Sequence, residues 1–378
     1  MNANPITSDD TLSVPDKVDK KYKPVWDGRS REDQIALTRY FLARHSQKPV
    51  LAPTRPRIVK WYCPFAAQQD FPTGHRYCIN VYTGCSHRCV YCYAAGYERA
   101  QANIKKDFQT LILKDMQDLQ RYDVPPAPVH LSNSTDPFQP LEREFSHTKC
   151  ALEQILANRH RFTTVTILTK NPLLTAQPDY LDLFRELADL PAHHPRHEEF
   201  TGKGLPGFVI EVSLAFWRET ARSVYDPGAP TVEERIQGIG LLRQAGIPVV
   251  LRIDPLLPRS PLREEPPTTL ADFGLEEAQT LEDLENLVTF AKAMSARHVV
   301  YSPAKIVKPR GAGLSETMQA LRAAYQAVAG PEKLVWRGRS WRLPQNVAEA
   351  HVVRSFLEIC KRRGVRAKYC KQNLIETP

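Results

Sequence analysis

Three cysteines in one short segment have the residue types and the spacing of a metal centre. The segment "GCSHRCVYCYA" places Cys85, Cys89 and Cys92 in a C-x3-C-x2-C pattern. Thiolates are the ligands of iron–sulfur clusters, and a [4Fe–4S] cluster takes one thiolate on each of its irons. Three cysteines would therefore leave one iron open to a ligand from outside the chain.

S-adenosylmethionine (SAM) can fill such an open position through its amino nitrogen and its carboxylate. One electron from the cluster would then break a sulfonium C–S bond and release a carbon radical, which is chemistry that the cofactor carries. The tasks left to the protein are to orient SAM, to exclude water and to place the target bond near the radical.

Two other interpretations of these cysteines stay open. Structural zinc could take His87 as a fourth ligand, although zinc sites usually pair their ligands across a longer loop. A redox dithiol could form from Cys89 and Cys92, but it would leave Cys85 unused and it lacks a thioredoxin-like context.

The elements that must position these residues begin at Arg76, where β-rich runs start to alternate with helical stretches. The helical stretches cover about 97–122, 147–160, 178–190, 231–246 and 278–296. This alternation predicts parallel βαβ units, hence a sheet buried on both faces or a barrel. The six β-rich runs are "RYCINVYT", "PVHLSNS", "TTVTILTK", "GFVIEVSL", "IPVVLRID" and "HVVYSPAK".

Four of these runs continue directly into polar or Gly/Pro residues, namely "TGCSH", "SNSTDP", "TKNP" and "DPLLP". Loops at the C-terminal ends of parallel strands carry the chemistry in βα folds, so we expect the cysteines on a functional rim. A long loop, "PRSPLREEPPTTLADFG", leaves this rim after the fifth strand and could form a lid. Further on, "KLVWRGRSWRLP" predicts a hairpin between helices at about 315–329 and 347–363.

Composition and charge narrow the class of protein. The chain has 378 residues, 42% hydrophobic and 25% charged, which is typical of a soluble globular protein. It shows neither a secretory leader nor a membrane-length apolar run, so we expect a cytoplasmic protein without a membrane contact. The net charge is +9, and residues 297–371 hold 16 Lys/Arg against 4 Asp/Glu. A polyanionic partner would explain this excess, and so would an ordinary solvated basic surface.

The sequence resembles a known family at these same motifs. The C-x3-C-x-aromatic-C pattern after a first strand, with Tyr91 as the aromatic residue, is similar to that of radical SAM enzymes. Within that superfamily "NVYTGCSHRCVYCYA", "SNSTDPFQPLE", "TILTKN", "EVSL" and "RIDPLLP" resemble the branch around spore photoproduct lyase. The resemblance covers about Tyr77 to Ala304 and implies a (β/α)6 partial TIM barrel.

The resemblance also implies roles for individual residues. Cys85, Cys89 and Cys92 would ligate the cluster, and the other positions of the motifs would contact SAM. Turn chemistry at Asp136, a solvated Lys170 and an outward Ser213 are the plainer alternatives. The expected SAM contacts are Tyr91, Tyr93, Thr135, Asp136, Lys170, Ser213, Arg252 and Asp254.

One position departs from the lyase pattern. Spore photoproduct lyase carries a hydrogen-donating cysteine three residues before the aspartate of the second-strand loop, and Asn133 stands there in this chain. The donor would come from elsewhere, or the reaction differs. Candidate donors are Cys360, Cys370, Tyr301 and Tyr369. The cysteines outside the motif form no C-x2-C pair, so they do not indicate an auxiliary cluster.

The basic C-terminal part mixes aromatic residues with arginines. Aromatic faces can stack on bases while guanidinium groups meet phosphates, and the same residues could equally pack on the barrel. The candidate nucleic-acid contacts are Trp336, Arg337, Arg339, Trp341 and Arg342.

Taken together, the sequence predicts three regions: a partly disordered N-terminal extension (1–75), the partial barrel (76–305) and a basic helical C-terminal cap (306–378). The expected function is reductive cleavage of SAM to a 5′-deoxyadenosyl radical that acts on a bound substrate, with nucleic-acid repair or modification as the first hypothesis. A reductant such as flavodoxin or ferredoxin is the implied partner. The alternatives are a small metabolite or peptide as substrate, and a metal-bearing nucleic-acid binding protein without turnover.

Overall fold

The fold is an α/β structure with one large sheet. In the computed structural model, the described residues are 27–32, 34, 56–60, 76–96, 101–121, 126–189 and 207–370. The strands are β1 Val59–Lys60, β2 Tyr77–Ile79, β3 Ala127–Leu131, β4 Phe162–Thr169, β5 Phe208–Ser213, β6 Val249–Arg252, β7 Val299–Tyr301, β8 Ile306–Val307, β9 Val335–Arg337, β10 Ser340–Arg342 and β11 Ala367–Tyr369.

The longer α-helices fall within the stretches expected from the sequence, and the short helices before residue 230 were not predicted. They are α1 Phe108–Arg121, α2 Glu142–Phe145, α3 His147–Ala157, α4 Pro172–Thr175, α5 Pro178–Ala188, α6 Glu219–Tyr225, α7 Val232–Gln244, α8 Leu281–Ala293, α9 Glu316–Ala329, α10 Gln345–Ala348 and α11 Arg354–Arg363. A π-helix, Glu349–Val353, joins the last two. Helices α7 and α8 both start at a threonine capping box, which explains why their starts were readable from the sequence.

The six predicted strands are confirmed as β2 to β7, which lie side by side in sequence order and all run parallel. Each connection advances by one strand and carries a helix, and right-handed crossovers place those helices on one face. Such a sheet curls with the helices on its convex side, as a partial barrel does. The concave face is then left for a site.

Side-chain alternation along the strands separates the two faces. Val129, Val165 and Ile210 belong to the large apolar core against the helices. The alternate positions, which face inward, are polar on β2–β4. Further along, Val209, Val250 and Val300 form a separate small apolar cluster, and the ion-paired Glu211 and Arg252 lie beyond it toward the C-terminal strand ends. The distribution of polar and apolar residues on this inner face says more about function than the helix-facing core does.

The C-terminal region takes part in the sheet as well as capping it. Strand β11 pairs in parallel with β7 and extends the sheet by a seventh parallel strand, which the sequence analysis missed. The predicted hairpin is confirmed as β9 and β10, with Gly338 and Arg339 at positive φ in the turn. Strand β8 pairs with β10, so the cap is part helix and part small antiparallel sheet. The three-region division by residue number stays a prediction.

Two expectations need correction. Helix α1 begins at Phe108 and not near residue 97, because Asn103 first forms an antiparallel bridge with Thr83. The loop after β6 is anchored and not a free lid. Its Leu256, Leu257, Leu262, Leu270 and Leu275 are buried, and Arg259 donates to the Val352 carbonyl and to Ser355 in the cap.

Most of the N-terminal extension lies outside the described residues. The expectation that it is partly disordered therefore stays a prediction. Its described strand β1 pairs antiparallel with β2, and the buried Asp115 carboxylate of α1 accepts the backbone N–H groups of Ile58 and Val59. Within the described ranges, no helix is long and apolar enough to cross a membrane.

Candidate active site

The cysteine loop, residues 84–92, follows β2 at the C-terminal edge of the parallel strands, as expected. Its fold is tightened by backbone hydrogen bonds from Cys92 N to Cys89 O (3.1 Å) and from Ala95 N to Cys92 O (3.2 Å). All three thiols are half-buried. The loop therefore presents the three cysteines together, partly sheltered from water, on the rim.

The surroundings of the thiols suit a metal cluster. Burial raises the pKa of all three thiols, that of Cys85 to about 12. The charge of Asp136 adds to the rise in the pKa of Cys85, and that of Asp226 to the rise for Cys89. A bound metal centre supplies the positive charge that such thiols need to become thiolates. The donor set thus fits an iron–sulfur cluster.

A single zinc ion fits less well. Among the residues that the structure describes, no three His, Cys, Asp or Glu side chains, the three cysteines of the loop included, are close enough together to hold a single metal ion. His87, the proposed fourth zinc ligand, is buried and uses both ring nitrogens in the protein. Its Nε2 lies 3.0 Å from Asp136 Oδ2 and its Nδ1 lies 3.1 Å from the Gly228 carbonyl oxygen. The zinc interpretation with His87 is therefore wrong for this structure.

Asp136 connects the cysteine loop to the ends of β3 and β4. Beyond His87, its carboxylate accepts hydrogen bonds from Lys170 N (2.7 Å), Thr169 Oγ1 (2.8 Å) and Phe138 N (2.9 Å). Burial alone would raise its pKa, but the charge and hydrogen bond of His87 and the other donors outweigh it and lower the pKa. Asp136 is thus a positioning residue here, and its contact with SAM stays a prediction.

A second anchor of the cysteine loop is the segment 225–229 after α6, which the sequence analysis did not single out. Val90 N donates to the Tyr225 carbonyl, and Gly228 N donates to the His87 carbonyl, both at 2.9 Å. A Cβ at Gly228 would lie 2.2 Å from the Ser86 carbonyl oxygen. Only glycine permits this approach of the two backbones.

Lys170 and Ser213 meet at the rim, as predicted, and do so with Tyr91. The Lys170 amine donates to Tyr91 Oη (2.9 Å) and Ser213 Oγ (2.8 Å) and lies 3.3 Å from Asp226 Oδ2. Tyr91 in turn donates to Asp226. The plainer alternatives of a solvated Lys170 and an outward Ser213 are therefore wrong.

The sequence analysis missed two charged residues of this network, Asp226 and Arg235. Both are fully buried, and Arg235 Nη1 lies 3.1 Å from Asp226 Oδ2. Burial alone would raise the pKa of Asp226, but the charges of Lys170 and Arg235 outweigh it and hold the pKa low. "YDPG" resembles an ordinary turn and Arg235 lies within a helix, so the sequence offered no distinct signal.

Thr135 and Tyr93 hold the loop from other sides. Thr135 donates to the Gly84 carbonyl and accepts from Gln139 Nε2 at 2.9 Å. Tyr93 is exposed and donates to the Asn133 carbonyl. Their predicted SAM contacts stay predictions.

Arg252 and Asp254 lie together on the inner face and form an ion-pair cluster with Glu211. Arg252 Nη1 lies 2.6 Å from Glu211 Oε2, and its Nη2 lies 2.5 Å from Asp254 Oδ2. The Cys370 thiol is 2.9 Å from the same guanidinium. These charges offer a polar ligand several contacts in the interior.

The candidate hydrogen donors fall in different places. Cys360 is buried in the helix-facing core, whereas Cys370 faces the inner valine cluster. Tyr301 and Tyr369 contact each other edge to face, with ring centroids 5.7 Å apart. Asn133 donates through Nδ2 to the Cys78 thiol at 3.0 Å, so a thiol lies beside the position where the lyase pattern has its cysteine.

The candidate nucleic-acid contacts all lie on the β9–β10 hairpin. Trp336 is 51% exposed, and Arg337 and Arg339 are exposed beside it. Trp341 is partly covered, because the Arg322 guanidinium lies 4.4 Å from its ring centroid. The hairpin therefore presents one free tryptophan face flanked by arginines, with Arg342 half-buried behind them.

Comparisons with known proteins add to this geometry. No family model matches the chain. An uncharacterized protein of Methanocaldococcus jannaschii is 25% identical over 187 residues, 49% of this chain and 62% of that protein. One of Mycobacterium bovis is 28% identical over 193 residues, 49% of this chain and 50% of that protein. The match thus spans about half to three fifths of these relatives' own lengths.

Solved structures of spore photoproduct lyase superpose on most of the chain. A mutant of that enzyme with one cysteine replaced by serine gives a TM-score of 0.53 at 12% identity, over 91% of this chain and 86% of its own. A mutant with bound AdoMet and dinucleoside spore photoproduct gives 0.50 at 13% identity, over 78% and 75%. The chain has the partial-barrel fold of radical SAM proteins, in the form of spore photoproduct lyase, and the expected resemblance is confirmed for the fold.

Proposed function

We propose that the protein is a radical SAM enzyme that binds a [4Fe–4S] cluster at Cys85, Cys89 and Cys92. The observation that carries this proposal is the cysteine loop itself, with three half-buried thiols on the rim and its histidine fully engaged elsewhere. When bound, the cluster and SAM would together supply a 5′-deoxyadenosyl radical. The structural likeness to a lyase solved with AdoMet supports the same cofactor.

The chain's own residues would bind and orient SAM. Lys170 offers an ammonium group near the loop, held by Tyr91, Ser213 and Asp226, and it is suited to the SAM carboxylate. Arg252 and Asp254 on the inner face offer contacts to the adenosine. Asp136 and His87 would act through the loop by fixing its position.

The first test is anaerobic reconstitution with iron and sulfide, followed by dithionite and SAM and an assay for 5′-deoxyadenosine. We expect product from the wild type and none from the Cys85/Cys89/Cys92→Ala variant. The Cys78→Ala variant is a matched control, because it removes a thiol outside the loop. Zinc in place of iron, or equal iron in the triple variant, would contradict the proposal.

For the substrate we propose a nucleic acid, recognised through the β9–β10 hairpin. An exposed tryptophan face beside two exposed arginines offers stacking and phosphate contacts together. Several other basic residues of the cap are less available, since Arg362 and Arg363 both pair with Glu285. The hairpin is therefore the part of the cap best suited to contact DNA.

The test is retention on single- and double-stranded DNA across a salt series. Replacing Arg337, Arg339 and Arg342 by Gln should weaken retention and flatten its salt dependence, because phosphate contacts release counterions. The control replaces three exposed basic residues elsewhere, Arg185, Arg354 and Lys361, and so makes the same change in net charge. Equal loss in both triple variants would show that net charge, and not the hairpin, holds DNA.

A small polar metabolite or peptide is the second candidate substrate. The buried Glu211–Arg252–Asp254 cluster favours it, since such charges on the inner face suit a polar ligand enclosed in the barrel. This candidate predicts no salt-dependent retention on DNA, so the same experiment separates the two.

A further inference from the structure

The lower interior, which we define as Arg76, His130 and Thr164, lies on the concave face toward the N-terminal ends of β2–β4. In register, Cys78 pairs with His130 and His130 pairs with Thr166. Arg76 and Thr164 stand two residues before Cys78 and Thr166 and so lie on the same face by strand alternation, although a β-bulge shifts the β3–β4 register between Ala127 and Val129, next to Thr164. Three neighbouring strands thus bring a guanidinium, an imidazole and a hydroxyl to one region.

Two of these groups each have one buried polar atom without a hydrogen-bond partner among the described residues. His130 is 1% exposed and Thr164 is 2% exposed, and neither His130 Nδ1 nor Thr164 Oγ1 has a partner. Buried polar atoms in folded proteins are nearly always paired, because an unpaired one loses its bonds to water and gains nothing. Two unpaired atoms on adjacent strands of one face point to a bound group that would satisfy them.

Arg76 adds a positive charge to the same region. The residue is 5% exposed, and within the described ranges no ion pair or hydrogen bond reaches it, but its guanidinium nitrogens are not among the fully buried atoms that lack a partner. Arg252, on the same inner face, is held by two carboxylates. Arg76 therefore brings to this region a positive charge that no carboxylate of the described residues neutralises, and a negative group would be attracted to it.

The imidazole also suits an anion. Burial, and then the positive charges of Arg76 and Arg252, hold the pKa of His130 well below 6.5. His130 is therefore neutral at pH 7 and, in its Nδ1–H tautomer, can donate a hydrogen bond. The lower interior thus offers one charge and two further donors.

We propose that the lower interior is a binding site for a small oxyanion, either inorganic phosphate or the terminal phosphate of a nucleotide. Arg76 supplies the charge, and His130 and Thr164 donate hydrogen bonds. An internal water could satisfy His130 and Thr164, but it would leave the charge of Arg76 uncompensated. The site is separate from the cysteine loop, and the inference does not rest on the proposed radical chemistry.

The test is thermal unfolding of the full chain, purified without phosphate, in phosphate against sodium chloride of equal ionic strength. A ligand that binds the folded state raises Tm saturably. We expect that rise in the wild type and its loss in Arg76→Met, which in chloride should unfold no lower than the wild type. Thr164→Val should raise the half-saturating phosphate concentration about tenfold, as loss of one hydrogen bond to a charged group does.

Thr169→Val is the matched control on the same strand, and it should keep the wild-type phosphate response. Thymidine 5′-monophosphate distinguishes a nucleotide ligand from free phosphate. If its effect on Tm saturates at a lower concentration than that of inorganic phosphate, the ligand is a nucleotide. If it saturates at an equal or higher concentration, the ligand is free phosphate. A wild-type Tm that phosphate raises no more than chloride overturns the proposal. So does an Arg76→Met variant that keeps the phosphate response.

Discussion

Two polar regions of the same barrel face differ in how their groups are paired. The rim network, which we define as His87, Asp136, Thr169, Tyr91, Lys170, Ser213, Asp226 and Arg235, places each of its charged groups beside one of opposite charge, although Arg235 Nη2 makes no hydrogen bond within the described residues. In the part of the chain that the structure describes, the lower interior leaves His130 Nδ1 and Thr164 Oγ1 unpaired and gives Arg76 no carboxylate partner.

This difference teaches what each region does. A network whose charges neutralise one another can hold a shape and can fix the groups that bind a ligand, and it does the first without any ligand. A region that combines two unpaired buried donors with a positive charge that no carboxylate of the described residues neutralises is suited to an anionic ligand. The rim network is therefore a scaffold for the cysteine loop, and the lower interior is a receptor.

The largest expected effect tests the scaffold at its closest contact. Gly228→Ala places a Cβ 2.2 Å from the Ser86 carbonyl oxygen, so the cysteine loop must move and we expect iron loading to fall to a small fraction of wild type. Iron and sulfide analysis after reconstitution measures it, with the cluster absorbance as a second readout.

Gly238→Ala is the matched control, since its Cβ would lie 2.3 Å from Leu173 N in the contact between α4 and α7. Overpacking of this kind costs about 1–3 kcal/mol, so its Tm should fall while iron loading below that Tm stays near wild type. Equal iron loss in both variants would mean that general destabilisation, and not the loop contact, explains the result.

The next effect compares two buried arginines. Arg235→Met leaves Asp226 with one cation fewer in a buried site, and removing one partner of a buried pair costs about 3–5 kcal/mol. Arg76→Met removes a charge that no described residue pairs with, so in phosphate-free buffer its unfolding free energy should not fall. Chemical denaturation of both variants measures this, and equal destabilisation would erase the distinction between the regions.

A third pair applies one substitution to two positions of β4. Thr169 Oγ1 donates to Asp136 and accepts from Asn171 N, so Thr169→Val should cost about 1–3 kcal/mol. Thr164→Val removes an unpaired hydroxyl and should be neutral or stabilising without phosphate. The denaturant concentration at the midpoint of unfolding, compared at equal denaturant dependence (m-value), measures the stability of each variant. A Thr164→Val variant less stable than the Thr169→Val variant would contradict the pairing that we describe.

The sequence predicted the local part of this arrangement and not the long-range part. The strands were predictable from their alternating and apolar runs. Lys170 and Ser213 were predictable as rim residues because they are polar and stand at strand ends. Asp226 and Gly228 act on a loop more than a hundred residues earlier in the chain. Their local pattern, Asp-Pro-Gly, is that of any turn, so only the folded chain reveals their role.

The unpaired groups were equally hidden from sequence reasoning. His130 and Thr164 lie in runs that read as ordinary strands, and Arg76 precedes one. Strand alternation predicts that such residues share a face, but it does not say which partners that face supplies. Whether a buried polar group finds a hydrogen-bond partner depends on the whole fold. This pairing is what distinguishes the rim network, as a scaffold, from the lower interior, as a binding site.

The smallest expected effect concerns pH. The lowered pKa of Asp136 means that its contribution to stability is present at neutral pH and is lost as pH falls below the ordinary aspartate value of 3.8. Asp136→Asn should therefore lower Tm at pH 7, and its difference from wild type should narrow as the pH drops from about 5 to 3. Asp182→Asn, at an exposed ion pair, is the control and should change Tm little at any pH. If the Asp136→Asn difference stays constant across that range, the carboxylate's charge contributes nothing, and the rim network is held by hydrogen-bond geometry alone.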